Sequence, residues 1–124
     1  RGVVSRPVDI HDVARHLADF GERAELVTVG SDLRPHVVSV LVELTGDQLV
    51  TRVGASTAGN IAERPGVTLT WLPPGDGDYM LILDGAGTVV SQGEGPRDIS
   101  IRIERGILHR LAGRPDTGPS CVTL

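Results

Sequence analysis

The sequence predicts a mainly β fold: a six-stranded antiparallel barrel with one helix ahead of the strands and a short second helix between strands three and four. Three observations carry that expectation. Apolar residues recur at every second position through most of residues 24 to 110. The apolar runs are short and are punctuated by Gly, Pro and Asp. The long amphipathic crossovers that parallel strands require are missing between them. A chain of 124 residues, 40% hydrophobic and 23% charged, is the size and composition of one domain with one core, so residues 1–124 read as a single unit.

The first element is a helix from Asp9 to Phe20, because Ile10, Val13, Ala14, Leu17 and Phe20 form a stripe at i, i+3, i+4, i+7. Asp9 is placed to cap it, Asp12 complements its dipole, and Gly21 stands where a positive-φ terminator belongs. The period then changes to two. Ala24 to Val29 is a short strand, and Pro35 to Leu44 a longer one with His36, Val38, Val40, Val42 and Leu44 on one face. Thr45-Gly46-Asp47 forms a three-residue hairpin connection, and Leu49 to Val53 returns with Leu49, Thr51 and Val53 together.

Between Ser56 and Arg64 the alternation lapses into a short helix with a hydroxyl cap, stopped by Pro65. Val67, Leu69 and Trp71 then share a strand face up to the turn Pro73-Pro74-Gly75-Asp76-Gly77. Tyr79 to Val90 is the longest strand, and Gly85 and Gly87 within it mark a bend, a bulge or a close backbone approach. The last strand, Asp98 to Leu108, turns Ile99, Ile101, Ile103 and Ile107 inward, and residues 111–124 form a tail or a final edge strand.

Composition excludes several function classes. All 12 basic residues are arginine, so no lysine is available for a Schiff base, and a phosphate would have to be held by arginine, hydroxyl or backbone N–H groups. A net charge of −4 and 2% aromatics supply neither the basic surface nor the stacking platforms that nucleic acid needs. No apolar run approaches the roughly 18 residues of a membrane span, and no charged-then-apolar leader opens the chain, so a soluble cytoplasmic protein is expected. Cys121 is the lone cysteine, and His11 and His16 are five apart on the first helix, so neither a disulfide nor a zinc cluster is expected.

The ordered pieces Arg34-Pro35-His36-Val37-Val38, Gly46-Asp47-Gln48-Leu49, Gly54 to Asn60 and Arg64-Pro65-Gly66-Val67-Thr68-Leu69-Thr70-Trp71, continued by Tyr79 to Ala86, resemble the pyridoxamine 5'-phosphate oxidase-like split β-barrel family, in particular its short actinobacterial members. The resemblance spans residues 24 to 110. It implies a homodimer with FMN in a groove at the subunit interface, or the deazaflavin F420 in related branches, acting on a small-molecule substrate. It also implies positions: His36, Val37 and Val38 beside the ring, Val50, Thr51 and Arg52 along the third strand, and Ser56 and Thr57 at the phosphate, with Asn60 facing the same turn.

The chain departs from the family at that turn. Members that hold FMN phosphate commonly carry a Ser-Arg-Lys-like run, whereas this sequence has Ala55-Ser56-Thr57-Ala58-Gly59. Two readings therefore stand: an FMN- or F420-dependent oxidoreductase, or a non-catalytic dimeric module that binds another small ligand or has lost its cofactor. Arg52 and Arg64 are the candidates to replace the missing charges. His36 either meets a ligand or is a partly exposed strand residue, and His109 either reaches a partner's groove or ends a strand in solvent. Gly85-Ala86-Gly87 lacks the third glycine and the helix of a dinucleotide loop and is read as a bend.

Overall fold

Eight strands, every pair antiparallel, form one curled sheet in a computed structural model that describes residues 5–114. They are β1 (Ser5–Val8), β2 (Arg23–Val29), β3 (Pro35–Leu41), β4 (Glu43–Thr45), β5 (Gln48–Val53), β6 (Gly66–Trp71), β7 (Tyr79–Val89) and β8 (Arg97–Arg110). In space they run β3-β2-β6-β7-β8-β5-β4, with β1 pairing the far half of β8. Two helices interrupt them, α1 (Val13–Phe20) and α2 (Ala55–Glu63). The expected tail or edge strand at Cys121 to Leu124 lies outside the described residues.

The count of eight corrects the expected six, for two physical reasons. The strand β1 is four residues long and contains Pro7, so it shows no alternation; it survives by pairing with Gly106 to His109 and burying Val8. The expected strand from Pro35 to Leu44 breaks at Val42, whose N–H bonds the Glu22 carbonyl (2.8 Å). Before that break β3 pairs with β2, and after it β4 pairs with β5. The chain thus passes from one edge of the sheet to the other, and the Thr51 hydroxyl ties the seam by donating to the Leu41 carbonyl (2.7 Å).

Inward-facing residues from successive strands form a continuous core. Leu26 of β2 lies opposite Leu69 of β6, which lies opposite Leu83 of β7, and all three are buried. Leu49, Thr51 and Val53 of β5 and Ile99, Ile101 and Ile103 of β8 are buried from the other side. Each fully buried aliphatic side chain contributes about 1.5–3 kcal/mol of transfer free energy. The β4–β5 connection is shorter than expected, two residues rather than three, because Thr45 already pairs with Gln48 and Gly46 adopts φ 64°.

Both glycines of β7 have a steric reason. Register slips between Asp84 and Gly85, so that Asp84 faces Arg105 while Gly85 faces Ile103 and Glu104 is the extra residue. A Cβ at residue 85 would collide with the Arg102 carbonyl, and one at residue 87 would sit 3.0 Å from Ile61 of α2. The same slip corrects the expected inward Ile107. After one extra residue the parity of β8 inverts, so buried Gly106 and core-packed Leu108 face inward.

The two helices are tied to the sheet at their ends. A 3-10 turn, Ile10–Asp12, leads into α1, with the Asp9 carboxylate accepting from the His11 N–H (2.9 Å). At its end Gly21 takes φ 89° and its carbonyl accepts from the buried Trp71 indole (3.0 Å). In α2 the N-cap is Gly54 and no side chain caps it, which corrects the expected hydroxyl cap: Ser56 already lies within the first turn. Burial of Thr57, Ala58 and Ile61 presses α2 against the barrel.

Candidate functional site: a cleft where β3, β5 and α2 meet

Because β5 runs straight into α2 through Gly54, the end of that strand and the first helical turn face the edge strand β3 across open space. The result is a cleft of about 390 Å³ lined by Val38 to Leu41, Arg52, Val53, Gly54, Thr57 and Pro96. Its size falls within the range of small-ligand sites, and its makeup matches their usual pattern of an apolar wall with a few polar groups. Val38, Val40 and Val53 supply the wall, while the Ser39 and Thr57 hydroxyls and the Arg52 guanidinium supply polarity.

The nine residues expected at a site divide into two groups. Val38, Arg52 and Thr57 line the cleft. His36 and Val37 lie further along β3, exposed, and His36 Nε2 is 3.5 Å from an Asp32 oxygen. There the Arg34 backbone N–H, and after it His36, hold the Asp32 carboxyl below its usual value. Val50 is half-buried within β5, and Thr51 spends its hydroxyl on the seam. Ser56 is exposed on α2 outside the lining, and Asn60 donates to the Thr28 hydroxyl (3.2 Å), which ties the helix to the barrel wall. His109 is half-buried between Met80 and Ser5 in the sheet, and does not end a strand in solvent.

The two candidate arginines also differ. Arg64 turns away, donating through Nε to the Val29 carbonyl (2.8 Å) and pairing with Glu63. Arg52 stays at the cleft, its Nε 3.0 Å from an Asp98 oxygen across the β5–β8 pair. The first helical bond of α2 runs from the Ala58 N–H to the Gly54 carbonyl, so the N–H groups of Ala55, Ser56 and Thr57 precede the ladder. Sequence reasoning missed Ser39, Val40, Leu41, Val53, Gly54 and Pro96 as lining residues. Alternation along single strands carries no signal for them, because they come together from β3, β5, the β5–α2 junction and the β7–β8 connection.

A flavin-type group can be tested against this donor set. The flat ring fits, because the valine wall offers apolar contact and an edge strand offers unpaired backbone groups. A phosphate dianion does not, because Arg52 is the one cation among the described lining residues and an aspartate already faces it. No group of three or more His, Cys, Asp or Glu side chains among the described residues is placed to hold a metal.

Comparison with known proteins finds two relatives in sequence and a shared fold among solved structures. Uncharacterized proteins of Mycobacterium bovis and Mycobacterium tuberculosis are each 35% identical over 127 residues, covering 91% of this chain and 87% of theirs. A Clostridium acetobutylicum protein of the pyridoxinephosphate oxidase family superposes with a TM-score of 0.65 at 10% identity, covering 83% of this chain and 91% of that one. The chain is a relative of the two mycobacterial proteins, and it shares the fold of the pyridoxamine 5'-phosphate oxidase-like proteins. No family model matches it.

Proteins with other roles share the fold. A FAD-binding protein of Mesorhizobium loti has a TM-score of 0.66 at 13% identity, covering 89% of this chain and all (100%) of that one. An F420 reductase has a TM-score of 0.62 at 17% identity, covering 74% and 94%. A heme storage protein of Vibrio cholerae has a TM-score of 0.65 at 12% identity, covering 83% and 96%. Among the described residues no helix is long and apolar enough to cross a membrane.

Proposed function

We propose that the cleft at the β3–β5–α2 junction holds the ring of a flavin or deazaflavin, and that this split barrel is an oxidoreductase acting on a small molecule. The observation that carries the reading is positional. The cleft lies along the second expected strand and at the turn from β5 into α2, where the family resemblance puts ring and side chain. A bound flavin would supply hydride acceptance at its ring; the protein supplies position and electrostatics.

Each residue then has a defined task. Val38, Val40 and Val53 keep water from one ring face, Arg52 stands at the ring edge where negative charge is favoured, and Thr57 offers a hydroxyl to the side chain. The flavin reading is preferred to a heme one, because none of the described lining residues is a His, Cys, Met or Tyr that could ligate iron. A homodimer completes the proposal. Val37 and Leu41 on β3 are 60% and 59% exposed, an apolar edge that a second copy would cover, with Leu41 also lining the cleft.

Titration of the purified protein with FMN, riboflavin and F420, followed by ligand absorbance and fluorescence, tests the assignment. Saturable binding of at least one is expected. Failure of all three to bind at micromolar protein would leave the non-catalytic module as the better description.

A further inference from the structure

The misfit of the cleft to a phosphate dianion has its own consequence. We infer that the cleft selects a flavin whose side chain ends in a hydroxyl, riboflavin, over one that ends in a phosphate; the inference rests on the flavin reading above. A phosphate monoester brings a charge of about −1.5 to −2 at neutral pH and asks for charge-assisted donors. The three arginines within reach of this region by sequence are all committed. Arg52 faces Asp98 at 3.0 Å, Arg64 faces the Val29 carbonyl and Glu63, and Arg97, opposite Val53 in the β5–β8 register, turns back to the Gly95 carbonyl.

The first turn of α2 adds no side-chain charge, since it reads Ala55-Ser56-Thr57. Asp98 adds a negative one instead. What the cleft does offer is neutral: Ser39 and Thr57 are its hydroxyl-bearing lining residues, chemistry suited to the hydroxyls of a ribityl chain. Asp98 is therefore the discriminating residue. It neutralises Arg52, the one cation among the described lining residues, and so withholds that charge from a phosphate.

Parallel titrations of riboflavin and FMN by fluorescence quenching, on the wild-type protein and on Asp98→Asn, test this. Riboflavin is expected to bind at least as tightly as FMN to the wild type. Asp98→Asn is expected to tighten FMN about threefold or more at low salt while leaving riboflavin unchanged, and added salt should erase that gain. Tighter wild-type binding of FMN than of riboflavin overturns the inference and leaves the flavin reading standing. Binding of F420 with neither flavin also overturns it. If none of the three binds, both readings fall together.

Discussion

A methyl group added at residue 85 would lie against the Arg102 carbonyl and the Ile101 side chain, at the point where the β7–β8 register slips. Backbone cannot give way there as a flexible side chain could. Gly85→Ala is therefore expected to cost about 1–3 kcal/mol, read as a lower midpoint in urea denaturation. Asp84, the neighbouring residue, ties the same slip from outside. Burial opposes its ionisation, but the Thr68 hydroxyl (2.6 Å) and the Arg105 guanidinium (2.6 Å) outweigh it and hold the carboxyl below its usual value.

The sign of that linkage follows directly. A carboxyl lowered in the folded state contributes stability that is fully present above its unfolded value of about 3.9, and that is lost as pH falls through the lower folded value. Denaturation midpoints of the wild type should fall below about pH 4. Asp84→Asn should lower stability at neutral pH and flatten that acid limb. An unchanged acid limb would mean that Asp84 does not titrate in this environment. Such details are not legible in the sequence, since Thr68, Asp84 and Arg105 lie on three strands whose register the alternation does not fix.

Among the elements, α2 is the one on which the cleft depends, because its first turn forms one wall. Its attachment comes from the Asn60 bond to Thr28, the Arg64 bond to the Val29 carbonyl, and Ile61 seated over Gly87. The neutral Asn60 bond contributes about 1 kcal/mol and the charge-assisted Arg64 bond about 1.5–3 kcal/mol. Asn60→Ala combined with Arg64→Ala should speed amide exchange within residues 55–63 while exchange in β7 stays slow, with hydrogen-exchange mass spectrometry as the readout. Uniform acceleration across the sheet would show instead that α2 and the barrel open as one unit.

The sequence showed most strands because Leu49, Thr51 and Val53, or Val67, Leu69 and Trp71, alternate without interruption between turn residues. It hid β1, whose Pro7 breaks the pattern, and it hid the corner at Val42, where an unbroken alternation conceals a change of partner strand. The same gap explains the site. Val38, Arg52 and Thr57 were legible from the family resemblance, whereas Ser39, Leu41 and Pro96 join them from an edge strand and a connection that no local pattern links.

At the scale of the molecule, two of the open clefts among the described residues differ in character. One is the cleft at β3, β5 and α2; the other is a groove of about 600 Å³ between α1 and the β3–β4 corner, lined by Ala14, Leu17, Ala18, Val42 and Leu44. The proposed dimer uses the apolar outer edge of β3. Leu41→Arg should therefore shift sedimentation toward monomer while the far-UV circular dichroism of the sheet is retained, since that side chain is exposed in the isolated chain.

Which open cleft takes the ligand is the central claim, and backbone chemical-shift mapping during a riboflavin titration addresses it most directly. The account predicts that perturbed resonances cluster at Val38 to Leu41, at Arg52 to Thr57 and near Pro96. Perturbations centred on Ala14, Leu17 and Leu44 with the β3–β5–α2 junction unmoved would contradict it.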